Sequence, residues 1–334
     1  MLKKILYTLL ALLAVYIILC FVGPKNMDVT TTKTINGSLN QVYGQIIDFR
    51  NWPNWSKWMK DDTAMSLTFG NPSSGLGGSY SWKSEKSGSG NMKITEVIPG
   101  QLVKSDLVFD DWNSTNKVTM ELKPNGTNTD VTWKMVDEKP FPFFLRGMML
   151  VMNMNGSIHK DFDAGLANMD SYIKSGKAGT YLNGFSILES DFPATTYLGK
   201  RSLLEMKDLS AYFATHFPEI AKLAGNKCVG PPVGIYWKWD MNSQKGDMAA
   251  AMPVSMSEIL NDQYKLIPVP ASRQYIIEYH GAYDKMALAY QSLDSMIHSK
   301  GIPNPSLVIE EYITDPMTEK DTSKWLTVIH FLTK

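Results

Sequence analysis

Hydrophobic positions along this chain fall into three regimes. From Ile5 to Val22 they are continuous, as ILYTLLALLAVYIILCFV without a charge. A helix over those residues is about 27 Å long at 1.5 Å rise per residue, close to the ~30 Å hydrocarbon core of a bilayer. From Asp28 onward the pattern alternates with period two in short stretches separated by Gly and Asn turns. These predict strands at Asp28–Ile35, Ser79–Lys83, Gly90–Val97, Gln101–Phe109, Asn116–Lys123 and Thr129–Val136. Between the first two, Ser38 reads as a helix N-cap ahead of Val42, Tyr43, Ile46, Ile47 and Phe49 at helical spacing. The segment Asn51-Trp52-Pro53-Asn54-Trp55 breaks that helix. Helical spacing returns at Phe143–Ile173, where Met148, Met152, Asn155, Phe162, Leu166, Met169 and Ile173 share a face. That pattern predicts one long helix lying across the concave side of an antiparallel meander.

The short polar stretch Ser175–Thr180 then reads as a linker. It divides the chain into an apolar segment at 1–27, a first domain at 28–176 and a second at 180–334. In the second domain, strands are expected at Phe185–Ser190 and Ala194–Lys200, a helix at Asp208–Ala224, and strands at Val233–Asp240 and Asp247–Val254. Ser272–Tyr279, a helix carrying Met286, Tyr290, Leu293 and Ile297, and strands at Leu307–Ile313 and Trp325–Leu332 follow. The order strand–helix–strand–strand occurs twice, as expected of two similar halves sharing one antiparallel sheet. The fold class is α+β throughout.

Charge and cysteine content narrow the function. Lys3 and Lys4 precede the apolar run, so the positive-inside rule holds the N-terminus in the cytoplasm and both domains outside it, on a single-pass anchor. The run exceeds the 7–15 residues usual for a cleavable signal and lacks a small-residue cleavage pattern. A cleaved signal, or lipidation at Cys20, are the alternatives. Thirty-three basic residues balance thirty-three acidic ones, which leaves no global field to draw nucleic acid. With two cysteines, Cys20 and Cys228, neither a disulfide scaffold nor a Cys-based zinc site is available. No metal, no cofactor and no nucleophile–base pair is expected. Met148, Met149, Met152 and Met154 read either as an adaptable cavity lining or as plain core.

Two family resemblances follow from ordered motifs. Trp52-Pro-x-Trp55-Ser56, Gly77-Gly78-Ser79-Tyr80-Ser81-Trp82, Gly88–Thr95, Thr129-Asp-Val-Thr-Trp133 and Asp161-Phe162-x-x-Gly165-Leu166 resemble the START/polyketide-cyclase-like (SRPBCC) helix-grip superfamily. The resemblance implies an apolar cavity between sheet and helix, with carriers, sensors and enzymes all among its members. Gly230-Pro-Pro-Val-Gly-Ile-Tyr236, Asp247 with Ala250–Val254, Ala271-Ser-Arg273, His280-Gly-x-Tyr283 and Glu310-Glu-Tyr312-x-x-Asp315-Pro316 resemble the GyrI-like effector-binding domain of AraC- and MerR-type regulators. That resemblance implies a cleft between the halves for lipophilic, often cationic, molecules. Some relatives hydrolyse strained-ring compounds. No helix-turn-helix accompanies it here.

The same resemblance places the family's acidic pocket residue at Glu310. Strand parity sets Glu310 and Tyr312 on one face, expected to be the open cleft, and Ile309, Glu311 and Ile313 on the other, expected to be covered by helices. A carboxylate among rings is costly to desolvate unless a cation or hydrogen-bond donor meets it. The candidate ligand-binding residues are Glu310, Tyr236, Trp237, Trp239, Tyr283 and Tyr312, with Tyr236 pointing away from Trp237 and Trp239. The expected partners are a hydrophobic or cationic small molecule and, through the N-terminal helix, a membrane. A hydrolase using Glu310, or an envelope protein-interaction module, are the other two readings.

Overall fold

A computed structural model describes residues 2–110, 114–240, 243–258 and 261–333. The chain divides between Ala178 and Gly179 into two compact units.

The first unit opens with the apolar helix α1 (Leu2–Val22), whose side chains are largely uncovered: Leu12 is 61% exposed and Phe21 76%. It is long and apolar enough to cross a membrane by length and composition. A seven-stranded antiparallel sheet follows, built from β1 (Asp28–Ile35), β2 (Ser66–Phe69), β3 (Ser79–Ser84), β4 (Gly88–Ile98), β5 (Leu102–Phe109), β6 (Ser114–Asn125) and β7 (Asn128–Asp137). Its strand order is β1-β7-β6-β5-β4-β3-β2, a meander from β2 to β7 closed by β1 at the far edge. Alternation with buried positions on one face runs through β6 and β7, where Val118, Met120, Leu122, Val131, Trp133 and Met135 are buried.

Helix α2 (Leu39–Ile47) starts with a capping box between Ser38 and Gln41. Its last carbonyls would otherwise lack partners. Asn51 Nδ2 donates to the Gly44 carbonyl, Trp55 Nε1 to Gln45 and Trp52 Nε1 to Ile46, at 2.9, 2.9 and 3.0 Å. The aromatic turn that breaks the helix therefore also caps it. Helix α3 (Lys57–Asp61) follows.

The closing helix is two helices, contrary to the sequence pattern. α4 (Phe143–Val151) and α5 (Met154–Lys174) meet at Asn153, which adopts left-handed backbone at φ 48°, a conformation Asn tolerates better than most residues. The cause is divided allegiance. Phe162, Leu166, Met169 and Ile173 of α5 are buried in the unit, whereas α4 packs on α1 instead. A side chain at Gly147 would meet Cys20 Sγ at 3.0 Å and the Tyr16 ring at 3.2 Å. Met152, expected on the buried face, is 56% exposed.

The second unit is a nine-stranded antiparallel sheet bearing two helices. Its elements are β8 (Thr180–Leu182), β9 (Phe185–Phe192), β10 (Thr195–Glu205), α6 (Leu209–Ala224), β11 (Val233–Asp240), β12 (Lys245–Pro253), β13 (Lys265–Val269), β14 (Ser272–His280), α7 (Ala287–Ser299), β15 (Leu307–Tyr312) and β16 (Leu326–Thr333). The order is β13-β10-β12-β11-β15-β16-β14-β9-β8. Read outward from the middle, β11-β12-β10 on one side repeats as β15-β16-β14 on the other. Each half is strand–helix–strand–strand, and the equivalent strands β11 and β15 meet at the seam, pairing Gly234 with Glu310 and Tyr236 with Val308.

Both helices lie on the same face of this sheet. α6 covers Leu198, Met248, Ala250 and Met252, and α7 covers Ile277, Tyr279, Ile329 and Phe331. The opposite face carries its own buried cluster of Tyr197, Val233, Ile235, Ala249 and Ile309.

Candidate functional site

The seam between the two halves puts a carboxylate under the gap between α6 and α7. Glu310 of β15 is 5% exposed. Its parity with Tyr312, and its opposition to Ile309, are as expected, but the helices cover the Glu310 face and not the Ile309 face. The residues expected to line an open cleft therefore lie on the helix-covered side of the sheet. Ile309 is buried in the cluster on the other face, and Ile313 is 46% exposed.

Three phenols converge on the Glu310 carboxylate. Tyr312 donates to Oε2 at 2.5 Å and Tyr236 to the same oxygen at 3.0 Å. Tyr290, from α7, donates to Oε1. The Tyr236 and Tyr312 hydroxyls are 3.2 Å apart. Burial, and after it the charge of Glu310, holds all three phenols well above the ordinary tyrosine range, so they remain protonated donors. Among the described residues no basic side chain pairs with Glu310. Its charge is met by neutral dipoles alone.

Gly234 makes the arrangement possible. A Cβ at that position would lie 2.9 Å from the Tyr236 hydroxyl and 3.0 Å from the Tyr312 hydroxyl. Bare backbone opposite Glu310 leaves room for two phenols over one strand pair.

The remaining aromatic groups ring this centre. Phe213 and Phe217 of α6 stack on each other at 4.8 Å and face Tyr312 at 5.5 and 6.0 Å. Tyr283, in the turn before α7, meets Tyr312 edge-on at 5.5 Å and Trp325 at 4.9 Å. Phe213, Phe217, Tyr283 and Trp325, like Tyr236, Tyr290 and Tyr312, are half-buried residues around the buried carboxylate.

Not every expected residue belongs to it. Trp237 lies on the opposite face, packed on the Val233–Ile309 cluster with the Arg201 guanidinium 4.0 Å above its ring. Trp239, expected to share that face, returns to the side of Tyr236, with ring centroids 6.4 Å apart. A β-bulge between Tyr236 and Lys238 causes the switch by adding one residue to β11. Tyr290, Phe213, Phe217 and Trp325 were not anticipated as site residues.

A cluster of rings lies inside the first unit. Trp133 stacks on Phe162 at 3.9 Å, with Trp52, Trp55 and Trp58 edge-on around them. Among the described residues of this unit, four buried polar atoms have no hydrogen-bond partner: Gln45 Oε1, Asn116 Oδ1, Trp133 Nε1 and Asn155 Oδ1.

Residues 26–174 match the family model described as polyketide cyclase/dehydrase and lipid transport. This part of the chain is a helix-grip domain of that family. No curated protein matches the sequence. Among solved structures the chain is similar to the crystal structure of the EcmrR C-terminal domain, at 18% identity over 45% of this chain and 98% of that one, with a TM-score of 0.40. It is also similar to EcmrR in its cryo-EM complex with DNA, at 17% identity over 57% and 71%, TM-score 0.41. Protein CV1439 from Chromobacterium violaceum is similar at 14% identity over 44% and 97%, TM-score 0.33. The antiparallel domain that follows the helix-grip domain resembles the EcmrR C-terminal domain, and that likeness concerns fold alone.

Proposed function

We propose that this protein is a membrane-anchored binder of small hydrophobic molecules, with a lipophilic cation as the ligand class of the Glu310 recess. The observation that carries the reading is a buried carboxylate held by three neutral phenols, without a basic partner among the described residues, amid half-buried aromatic residues. Hydrogen bonds offset the desolvation of such a charge but do not neutralise it. A cation resting on the rings would do so and add ~0.5–2 kcal/mol for each ring it faces. In the helix-grip domain, the unpartnered Trp133 donor and the Gln45 and Asn116 acceptors support a second guest, mainly apolar with a polar end. The description of the matched family, which includes lipid transport, points the same way.

Anchoring is supported by more than the apolarity of α1. Tyr16 donates to the Phe144 carbonyl at 2.5 Å, Cys20 is fully buried, and Phe21 meets Phe143 edge-on at 5.0 Å. A removable signal has no need of a fitted partner in the mature domain.

The test is Glu310→Gln with binding measured by calorimetry for tetraphenylphosphonium and for triphenylphosphine oxide, a neutral molecule of similar bulk. The cation should weaken by about tenfold or more, or ~1.4 kcal/mol, and the neutral ligand by much less. Equal weakening of both would exclude a counter-ion role.

A further inference from the structure

The helix that leaves the sheet to pack on α1 is itself apolar and mostly uncovered on its far side. The sequence of α4 is FFLRGMMLV, with a single charge. Phe144 is 65% exposed, Val151 69% and, just past the helix end, Met152 56%. Exposed rings and aliphatic groups clustered on one short element call for a covering surface.

The path of the chain indicates what covers them. The Asp137 amide donates to the Met27 carbonyl at 3.1 Å and the Phe141 amide to the Lys25 carbonyl at 2.7 Å. Next, Arg146 lies against Gly23, and Gly147 against Cys20 and Tyr16. From residue 137 to residue 147 the chain keeps its contacts to residues 16–27, the C-terminal end of α1 and the residues that follow it. α4 thus packs on the last turns of α1, and the Asn153 turn follows it before α5 returns to the sheet. Its one charge is accommodated: Arg146 Nε donates back to the Phe141 carbonyl, at the level where the chain pairs with Lys25. Long basic side chains direct their heads toward the interface in this way.

We propose that α4 and the turn into α5 enter the same bilayer leaflet as the C-terminal end of α1, so that the helix-grip domain is held to lipid by two elements. The occupant of the exposed face is lipid acyl chain, because α4 packs directly on α1, whose own apolar surface is uncovered and long enough to cross a bilayer. The inference rests on the reading of α1 as a membrane span. Its consequence is that the helix-grip domain sits against the hydrocarbon with a fixed orientation, where a tether through α1 alone would leave it free to swing.

Depth-dependent quenching tests it on the full-length chain in nanodiscs, in a Cys20→Ala, Cys228→Ser background. A single fluorophore is placed at Leu12→Cys, Val151→Cys or Thr127→Cys, and lipids carrying a nitroxide on the acyl chain are added. Thr127 is in the β6–β7 turn, about 30 Å along that hairpin from the end that pairs with Met27, at ~3.3 Å per residue. Quenching at Leu12 and Val151 with none at Thr127 is the expected result. Quenching at Leu12 without quenching at Val151 overturns the inference and leaves the anchor intact. Absence of quenching at both Leu12 and Val151 removes the anchor reading, and the inference with it.

Discussion

At the scale of single residues, the chemistry of the second domain concentrates on one oxygen pair. Glu310 Oε2 accepts from Tyr312 and Tyr236, and Oε1 from Tyr290 alone. Removing the Tyr290 hydroxyl leaves a buried anionic oxygen without its donor, and hydrogen bonds to charged groups contribute about 1.5–3 kcal/mol. Tyr290→Phe should therefore lower the unfolding free energy by about that amount in the native background, and by clearly less in Glu310→Gln, where no full charge is left to solvate. A double-mutant cycle in urea with coupling above about 1 kcal/mol is the expected outcome; additive effects would mean that the two side chains do not act as a pair. Glu310, Tyr312, Tyr236 and Tyr283 were legible because motif order and strand parity pointed to them. Tyr290 was not, since it lies among Met286, Leu293 and Ile297 at helical spacing and reads as core. The side taken by Trp239 was illegible for another reason: a bulge inverts parity beyond Trp237 without leaving a mark in composition.

At the scale of elements, α6 is fixed to its surroundings by a polar chain as well as by packing. His216 Nδ1 lies 2.8 Å from the Tyr264 hydroxyl, which in turn donates to Glu219. The single phenol proton goes to Glu219, so the His216 N–H is the donor to Tyr264. Burial, and after it the charge of Lys200, lowers the pKa of His216 below its ordinary 6.5, against the opposing pull of Glu219. A histidine lowered in this way is neutral when folded, while the unfolded chain takes up a proton first as pH falls. Stability is then whole above pH 6.5 and declines below it. Urea midpoints measured from neutral pH down to about pH 5 should fall more steeply for the native protein than for His216→Gln, which keeps a donor but cannot titrate. Parallel curves would show that His216 is not the group responsible. Most elements were readable from periodicity, yet two kinds were not. The edge strand β13, Lys265–Val269, contains Pro268 and looks like a loop, although an edge position tolerates proline. The break at Asn153 was hidden because apolar residues keep helical spacing across it, and nothing local says that α4 serves α1 and α5 the sheet.

At the scale of the whole chain, the proposed anchor carries a prediction of orientation from the residues that border α1. Lys3 and Lys4 precede the span, and long folded regions cross during export largely regardless of their own charge. The short basic end should stay in the cytoplasm and everything from Lys25 onward should lie outside. Lys177, exposed just before the start of β8, offers a cut site between the two units. Trypsin added to intact spheroplasts should release the second unit as a soluble fragment while a fragment containing α1 stays with the membrane. The reverse orientation predicts full protection until the membrane is permeabilised. A cleaved signal predicts a third pattern, with the protein already in the soluble fraction before protease is added. The packing of Tyr16, Cys20 and Phe21 against α4 argues against that last pattern, because cleavage would strip α4 of the surface it was shaped to meet and expose a second apolar face to water.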